Sequence, residues 1–148
     1  MPATGGRTGI ANIGYEGRTI AGLIEALRAD GVAVVVDIRA DPVSRRPEFT
    51  GPRMASSLEA AGLEYVQLSA LGVPREVRKG ARDAAGKGRL LAWYRDHLDG
   101  RPELVERVSE MSKGTRIALL CYERDESECH RSVLSERLRE EGVRVDAL

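Results

Sequence analysis

The amino-acid sequence predicts an α/β fold: a three-layer sandwich, in which a mostly parallel sheet of about five strands is flanked by helices in a single domain. Three helical stretches each end in a glycine that an apolar segment follows at once, at Gly31, Gly62 and Gly142. Glycine just past a helix end closes the last turn, and short helix-to-strand loops are typical of alternating strands and helices. Residues 32–38, VAVVVDI, are apolar and β-branched, as in a strand covered on both faces.

The remaining elements follow from hydrophobic spacing and from turn residues. The predicted strands cover residues 10–15, 32–38, 65–68, 117–121 and 143–147. The predicted helices cover residues 20–27, 52–62, 90–97, 102–111 and 126–141. Between residues 69 and 100 the pattern is less regular, and the charged, glycine-rich segment 79–88 predicts a mobile loop. The whole chain, 1–148, is expected to form one domain, with residues 1–9 flexible.

Composition excludes several classes of protein. Lys plus Arg and Asp plus Glu are equal, at 23 each, so no global charge attracts nucleic acid or an acidic membrane. One Trp, four Tyr and one Phe are too few for a surface that stacks many bases. No apolar run approaches the roughly 20 residues of a membrane helix, and two cysteines are too few for a disulfide scaffold. We expect a cytoplasmic protein without a membrane partner, whose cofactor and oligomeric state the sequence does not specify.

The segment 121–131, CYERDESECHR, predicts a strand-to-helix turn and is the foremost candidate functional site. Asp125 with Glu128 fits a capping box, which places the helix start at Glu126. Cys129 and His130 would then lie in the first turns of the helix, where the helix dipole favours a thiolate.

Such a thiol could act as a nucleophile. The candidate catalytic residues are therefore Cys129, His130, Cys121 and Glu123, with His130 or Glu123 moving the proton. The alternative is that both cysteines are small core side chains and that His130 is hydrogen-bonded to the preceding loop. No metal site is expected, because the cysteines do not form a CxxC pair and His97 lies in another segment.

Polar residues also follow the other predicted strands, and in a parallel sheet they would meet at one edge. Arginines that converge with helix N-termini could bind a phosphate or carboxylate group. The candidate ligand-binding residues are Tyr15, Glu16, Arg18, Asp37, Arg39, Ser44, Arg45, Phe49 and Arg131. The alternative is a set of solvated surface charges. The sequence has no Walker loop, no GxGxxG and no GxSxG motif.

Four segments, IGYEGRTI, VVVDIRADPVSRRPEF, GLEYVQLSALG and LLCYERDESECHRSVLSERL, together carry a family resemblance. From Ile10 to Leu148 the chain resembles the prokaryotic domain-of-unknown-function family 488. The resemblance implies a fold and a residue set but no reaction. By matching position, that set comprises Gly14, Arg18, Asp37, Arg39, Pro42, Ser44, Arg45, Phe49, Leu71, Gly72, Cys121, Glu123, Cys129, His130 and Arg131. One departure is Val73-Pro74, where similar sequences often continue with Gly or Asn after Leu71-Gly72.

Three functional hypotheses follow. The first is a domain that binds an anionic, phosphate-bearing ligand, such as a nucleotide or nucleic acid, at the strand ends. The second is a thiol-dependent enzyme that uses Cys129 or Cys121 with His130. The third is an interaction module without catalysis. Glu123 and Asp125 count against a simple phosphatase, because carboxylates in the turn would repel the phosphate.

Overall fold

The computed structural model describes residues 8–125 and 129–148. Within them, five strands form one parallel sheet in the order β3-β2-β4-β1-β5. The strands are β1 (Ile10–Gly14), β2 (Val34–Asp37), β3 (Glu64–Gln67), β4 (Ile117–Cys121) and β5 (Val145–Ala147). The predicted parallel α/β sheet is confirmed.

Helices connect the strands. They are α1 (Ile20–Ala29), α2 (Gly51–Ala60), α3 (Arg75–Arg78), α4 (Ala84–Gly100), α5 (Pro102–Lys113) and α6 (Arg131–Glu140). Two short 3₁₀ helices, Pro47–Phe49 and Ser69–Leu71, lie in the loops after β2 and β3. None of the helices in the described part of the chain is long and apolar enough to cross a membrane.

The hydrophobic core has two halves, one on each face of the sheet. On one face α1 and α2 pack through buried side chains such as Leu23 and Met54. On the other face α4, α5 and α6 pack through Leu98, Val108 and Leu134. Full burial of each such side chain stabilises the fold by about 1.5–3 kcal/mol. All five residues of β4 are buried, because this central strand is covered on both faces.

The predicted helix ends at glycine are confirmed. Gly31, Gly62 and Gly142 have φ values of 78°, 85° and 85°, in the left-handed region that glycine adopts without steric cost. The amides of the residues after them bond back to the helices; for example, the Val143 N–H donates to the Leu138 carbonyl. This bond keeps Val143 out of β5, which is why the strand begins later than predicted.

The predicted mobile loop 79–88 is wrong in its second half. Helix α4 begins at Ala84, and the Asp83 side chain caps it by accepting the Gly86 N–H at 2.7 Å. Gly86 is buried against the backbone of Gly80 and Ala81, where a side chain would overlap it. The two glycines of the segment that lie in α4 are therefore compatible with a helix, since Gly86 makes a close contact and Gly88 is exposed.

The last helix begins later than predicted. Helix α6 starts at Arg131, with His130 at its N-cap, so Cys129 and His130 precede the helix rather than lying in its first turns. The Arg131 N–H lies 3.5 Å from the Cys129 sulfur, which accepts it as a capping side chain would. The predicted start at Glu126 and the predicted capping partner Glu128 lie outside the described residues, as do residues 1–7.

Candidate functional site

The carboxyl ends of the parallel strands meet at one edge of the sheet, and a cleft opens there. Its volume is about 90 Å³, small beside the roughly 300–1,000 Å³ of sites for drug-sized ligands. The cleft is lined by Tyr15, Arg39, Ala40, Asp41, Val43, Val73, Arg78, Cys121, Tyr122, Glu123 and His130. It is therefore too small to enclose a whole large cofactor.

Two cysteines and a histidine converge at the floor of this cleft. Cys121 ends β4, and Cys129 and His130 precede α6; one ligand atom from each of the three lies within 4.8 Å of the others. Both cysteines are reduced and buried, with 6% of Cys121 and 3% of Cys129 exposed. Cys121 and His130 line the cleft, whereas Cys129 lies beneath them.

The fold holds the His130 ring in one orientation. Its Nε2 lies 3.1 Å from the Ile38 carbonyl oxygen, which only accepts, so Nε2 carries the hydrogen. Its Nδ1 then faces the Cys129 sulfur at 3.5 Å. The Tyr94 ring packs edge-on against the imidazole at 4.9 Å between centroids, and its hydroxyl donates to the Leu71 carbonyl at 2.7 Å.

The two thiols have opposite electrostatic settings. Burial alone would raise the pKa of Cys129, but the hydrogen bond from Cys121 and the charge of His130 lower it well below its usual value. The hydrogen bond to Cys129, and then burial, raise the pKa of Cys121. Burial would lower the pKa of His130, yet the Cys129 charge raises it overall. The pKa values of the two thiols are therefore shifted in opposite directions.

Glu123 and Arg131 complete this end of β4. The Glu123 Oε2 lies 3.5 Å from the Cys121 sulfur, and burial, followed by the Cys129 charge, raises the pKa of Glu123. Arg131 is 1% exposed, and its Nη2 donates to the Glu123 carbonyl. Among the described residues, no carboxylate pairs with Arg131 and its Nε has no hydrogen-bond partner. The guanidinium charge instead acts on the two thiols.

The neighbouring end of β2 is a closed ion pair. Arg39 donates to both carboxylate oxygens of Asp37, from Nε at 2.9 Å and from Nη2 at 2.6 Å. The Tyr65 hydroxyl donates to the same carboxylate at 2.6 Å, and Arg39 Nη1 donates to Tyr15 and to the Phe49 carbonyl. Burial would lower the pKa of Arg39, but the Asp37 carboxylate raises it overall. Burial and Asp37 both raise the pKa of Tyr65.

Aromatic rings form the wall of the cleft on the β1 side. Tyr15 stacks on Phe49 with 4.5 Å between centroids, and Tyr122 packs edge-on against Tyr15 at 5.3 Å. Phe49 is fully buried and belongs to the core, so it supports Tyr15 instead of lining the cleft. Tyr122 is half exposed at the rim.

Two glycines allow the loops to approach this closely. A Cβ at Gly14 would overlap the Glu123 carbonyl, and one at Gly72 would overlap the backbone nitrogen of Ala40. Gly14, at the end of β1, therefore lets the loop after β4 approach closely. Gly72, in the loop after β3, does the same for the loop after β2.

The structure brings some of the predicted residues to the cleft and not others. Arg18 donates to the carbonyls of Gly14 and Leu148, at 3.0 and 3.1 Å, away from the cleft. Glu16 is exposed and accepts the Arg124 N–H at 3.0 Å. The Ser44 hydroxyl accepts the Arg46 N–H within its own turn at 3.1 Å. Arg45 is exposed and does not line the cleft.

Sequence reasoning missed Arg78 and Tyr94. Arg78 ends α3 and lines the cleft, but its short helix lies in the segment where no regular pattern could be read. Tyr94 lies on the buried face of α4, where an aromatic residue is indistinguishable from ordinary core. The expectation of no metal site stays untested, yet the spacing argument behind it fails. The fold brings Cys121 beside Cys129 and His130 without a CxxC motif.

The parallel sheet, the helices on both faces and the cleft at its carboxyl edge define an α/β protein of the open-sheet class. A family model described as "Domain of unknown function DUF488" matches residues 19–138, well over half of the chain. The chain therefore belongs to the DUF488 family, which confirms the resemblance seen in the sequence. A comparison with curated proteins and one with solved structures each gave no match.

Proposed function

We propose that this protein binds a small phosphate-bearing ligand, such as a nucleotide, in the cleft at the carboxyl ends of β1, β2 and β4. The observation that carries the proposal is the position of the exposed apolar side chains. Among the described residues, the exposed large hydrophobic side chains are Val43, at 67%, and Tyr122, at 47%, and both line this cleft. Exposed apolar surface beside convergent polar groups is typical of a ligand-binding site.

The charges that line the cleft have both signs. Arg78 is exposed at the mouth, and Arg39 lies deeper, with most of its donors already committed to Asp37, Tyr15 and Phe49. Arg78 is therefore the cation that is available for a phosphate group. Asp41 and Glu123 also line the cleft, and carboxylates accept donors such as the hydroxyl or amino groups of a nucleoside.

The cleft is large enough for only one part of such a ligand, and the other part would lie outside it. About 90 Å³ admits a compact group, whereas a flat ring would lie outside it, against the Tyr122 ring at the rim. Stacking on an aromatic ring contributes about 1–3 kcal/mol per base. A ligand that combines a phosphate with a ring matches both parts.

The thiol-enzyme hypothesis remains a prediction, and the site geometry favours it less than ligand binding. Cys129 lies below the cleft and does not line it, so a substrate in the cleft would meet Cys121 and His130 first. For this reason the proposal concerns binding and assigns no thiol reaction.

Thermal unfolding with a matched set of probes tests the proposal. A ligand present at about 100 times its dissociation constant raises the free energy of unfolding by about 2.7 kcal/mol. We expect adenosine monophosphate or another mononucleotide to raise the melting temperature, and the corresponding uncharged nucleoside to do so far less. If no mononucleotide raises it at millimolar concentration, the proposal is wrong.

Two arginine variants locate the bound phosphate. Removing a hydrogen bond to a charged group costs about 1.5–3 kcal/mol, so Arg78→Ala should weaken mononucleotide binding by roughly ten-fold or more. Arg45→Ala is the matched control, because Arg45 is also an exposed arginine but lies outside the cleft. Equal losses in both variants would show that binding is a general charge effect.

A further inference from the structure

We infer that Cys121, Cys129 and His130 form a binding site for a divalent transition metal of the Zn²⁺ type, with the Glu123 carboxylate at the fourth ligand position. This inference does not depend on the proposed phosphate-bearing ligand, since it concerns the floor of the cleft alone. Thiolate and imidazole are the ligand types that Zn²⁺ takes in proteins.

The spacing of the ligand atoms carries the inference. Zinc–sulfur bonds of about 2.3 Å and zinc–nitrogen or zinc–oxygen bonds of about 2.0–2.2 Å place a sulfur ligand about 3.5–3.6 Å from a nitrogen or oxygen ligand of the same tetrahedral site. The Cys129 sulfur lies 3.5 Å from His130 Nδ1, and the Cys121 sulfur lies 3.5 Å from Glu123 Oε2. The two sulfurs and the imidazole nitrogen all lie within 4.8 Å of one another. The Glu123 carboxylate is not within that distance of all three atoms, so its side chain would have to turn toward them to supply the fourth ligand.

The surroundings of His130 support the same inference. In protein metal sites the histidine ring nitrogen that does not bind the metal commonly donates to a carbonyl or carboxylate, which fixes the ring. Here Nε2–H donates to the Ile38 carbonyl at 3.1 Å, so Nδ1 is the ring nitrogen that faces the Cys129 sulfur and that would bind the metal after losing its proton. The Tyr94 ring, edge-on at 4.9 Å, holds the imidazole from another side.

Charge balance is also satisfied. A divalent ion with two thiolates and one carboxylate has a net charge of −1, which would be costly at a buried site without a compensating cation. Arg131 supplies one: it is buried, it contacts the Glu123 carbonyl, and among the described residues no carboxylate pairs with it. In a metal–thiolate centre, Arg131 would therefore balance the negative charge of the ligands in addition to packing in the core.

The site is open on one side. Cys121, Glu123 and His130 line the cleft, while Cys129 closes the site from below. An ion held there would be reachable from the cleft, where an incoming ligand would compete with the Glu123 carboxylate for the fourth position.

Cobalt titration of the full, untagged chain tests the inference. The protein is kept reduced, stripped with a chelator and titrated with Co²⁺, which stands in for Zn²⁺ and absorbs visibly when tetrahedral. We expect one equivalent to bind, with a sulfur-to-cobalt charge-transfer band and visible d–d bands, and Zn²⁺ to displace it. Because Cys121 and Cys129 are the only cysteines in the chain, any such charge-transfer band reports on them.

Variants assign the ligands. Loss of an outer partner of a metal ligand costs 10–100-fold in affinity, so Cys121→Ser, Cys129→Ser and His130→Ala should each cost at least about 100-fold. Glu123→Gln should cost roughly ten-fold and shift the visible bands. His97→Ala is the matched control, since the other histidine of the chain bonds the Ala70 carbonyl away from the cluster.

The inference is overturned if the reduced, unaltered protein shows no cobalt–thiolate absorption. It is equally overturned if both serine variants bind Co²⁺ as tightly as the unaltered protein, or if His97→Ala lowers the affinity as much as His130→Ala. Circular dichroism of each variant shows whether it is folded, and the measurement on the unaltered protein stands even if one variant does not fold.

Discussion

The ends of β2 and β4 lie side by side in the sheet, yet they are built in opposite ways. At β2 the Asp37 carboxylate accepts hydrogen bonds from Arg39 and Tyr65, and every donor is close, with the shortest at 2.6 Å. At β4 two thiols and an imidazole approach one another at van der Waals or weak hydrogen-bond distances. The Asp37 pair is fully hydrogen-bonded, whereas the two thiols and the imidazole make only weaker contacts with one another.

The two ends also face different halves of the core. Asp37 and its partners lie with Tyr15 and Phe49 on the side of α1 and α2, whereas Cys121 lies on the side of α4, α5 and α6. Alternation along a strand explains this, because successive side chains point to opposite faces. The Asp37 ion pair and the two cysteines therefore lie on opposite faces of the sheet.

Asp37→Ala should lower the stability of the protein more than any other single change at the two strand ends. It leaves the buried Arg39 charge without its carboxylate and the Tyr65 hydroxyl without its acceptor, and breaking a buried pair in this way costs about 3–5 kcal/mol. Urea unfolding measures the loss as a lower free energy of unfolding.

A surface ion pair of the same length serves as the control for that prediction. Arg137 and Asp99 are also 2.6 Å apart, but Asp99 is exposed and Arg137 is partly exposed, so Asp99→Ala should cost only about 0–1 kcal/mol. Replacing both partners of the buried pair with Leu and Met should recover much of the loss. Similar costs for Asp37→Ala and Asp99→Ala would show that the β2 end is not a rigid support.

Gly14→Ala and Gly72→Ala should have intermediate effects, one at each strand end. In both variants the new methyl group overlaps backbone, of Glu123 or of Ala40, and forced overpacking typically costs 1–3 kcal/mol. The two variants should differ in their affinity for Co²⁺. We expect Gly14→Ala to lower this affinity more than Gly72→Ala does, because it displaces the segment that contains Glu123.

Gly88→Ala is the control for the glycine variants. Gly88 is exposed within α4 and a Cβ there meets nothing within 4 Å, so alanine should stabilise the helix by roughly 0.5–1 kcal/mol. If Gly14→Ala also proved neutral or stabilising, the loop at the β4 end would be mobile enough to move aside.

Local patterns were sufficient to predict most of the fold. The β-branched run before Asp37 and the glycines at 31, 62 and 142 mark strands and helix ends through interactions within a few residues, and these predictions are confirmed. The strand order could not be predicted from such local patterns, because it depends on contacts between segments that are distant in the sequence. The helical first turn of α4 was missed because its signals, the Asp83 cap and the packing of Gly86, are weak without the tertiary contact.

The candidate site was predictable by location but not by arrangement. A strand end followed by Cys129 and His130 identified the β4 turn, and the parallel sheet placed Arg39 at the same edge. Nothing local shows that Asp37 engages Arg39 fully, or that Arg18 bonds carbonyls near the chain end instead of a ligand. Nor could the approach of Cys121 to Cys129 be inferred, because it depends on the path of the intervening loop.

Arg78→Ala should have the smallest effect on stability. Arg78 is exposed at the mouth of the cleft, and among the described residues its side chain has no hydrogen bond or ion pair. Surface substitutions of this kind usually change the free energy of unfolding by no more than about 0.5 kcal/mol, and urea unfolding should give that result for Arg78→Ala and Arg45→Ala alike. A loss above about 1.5 kcal/mol would exceed that surface range and would mean that Arg78 supports the fold, in contrast to its exposed position. If stability is unchanged, a loss of mononucleotide binding in Arg78→Ala alone is caused by the missing guanidinium group. That result would show that the mouth of the cleft acts in binding, whereas the ion pair at the end of β2 acts in stability.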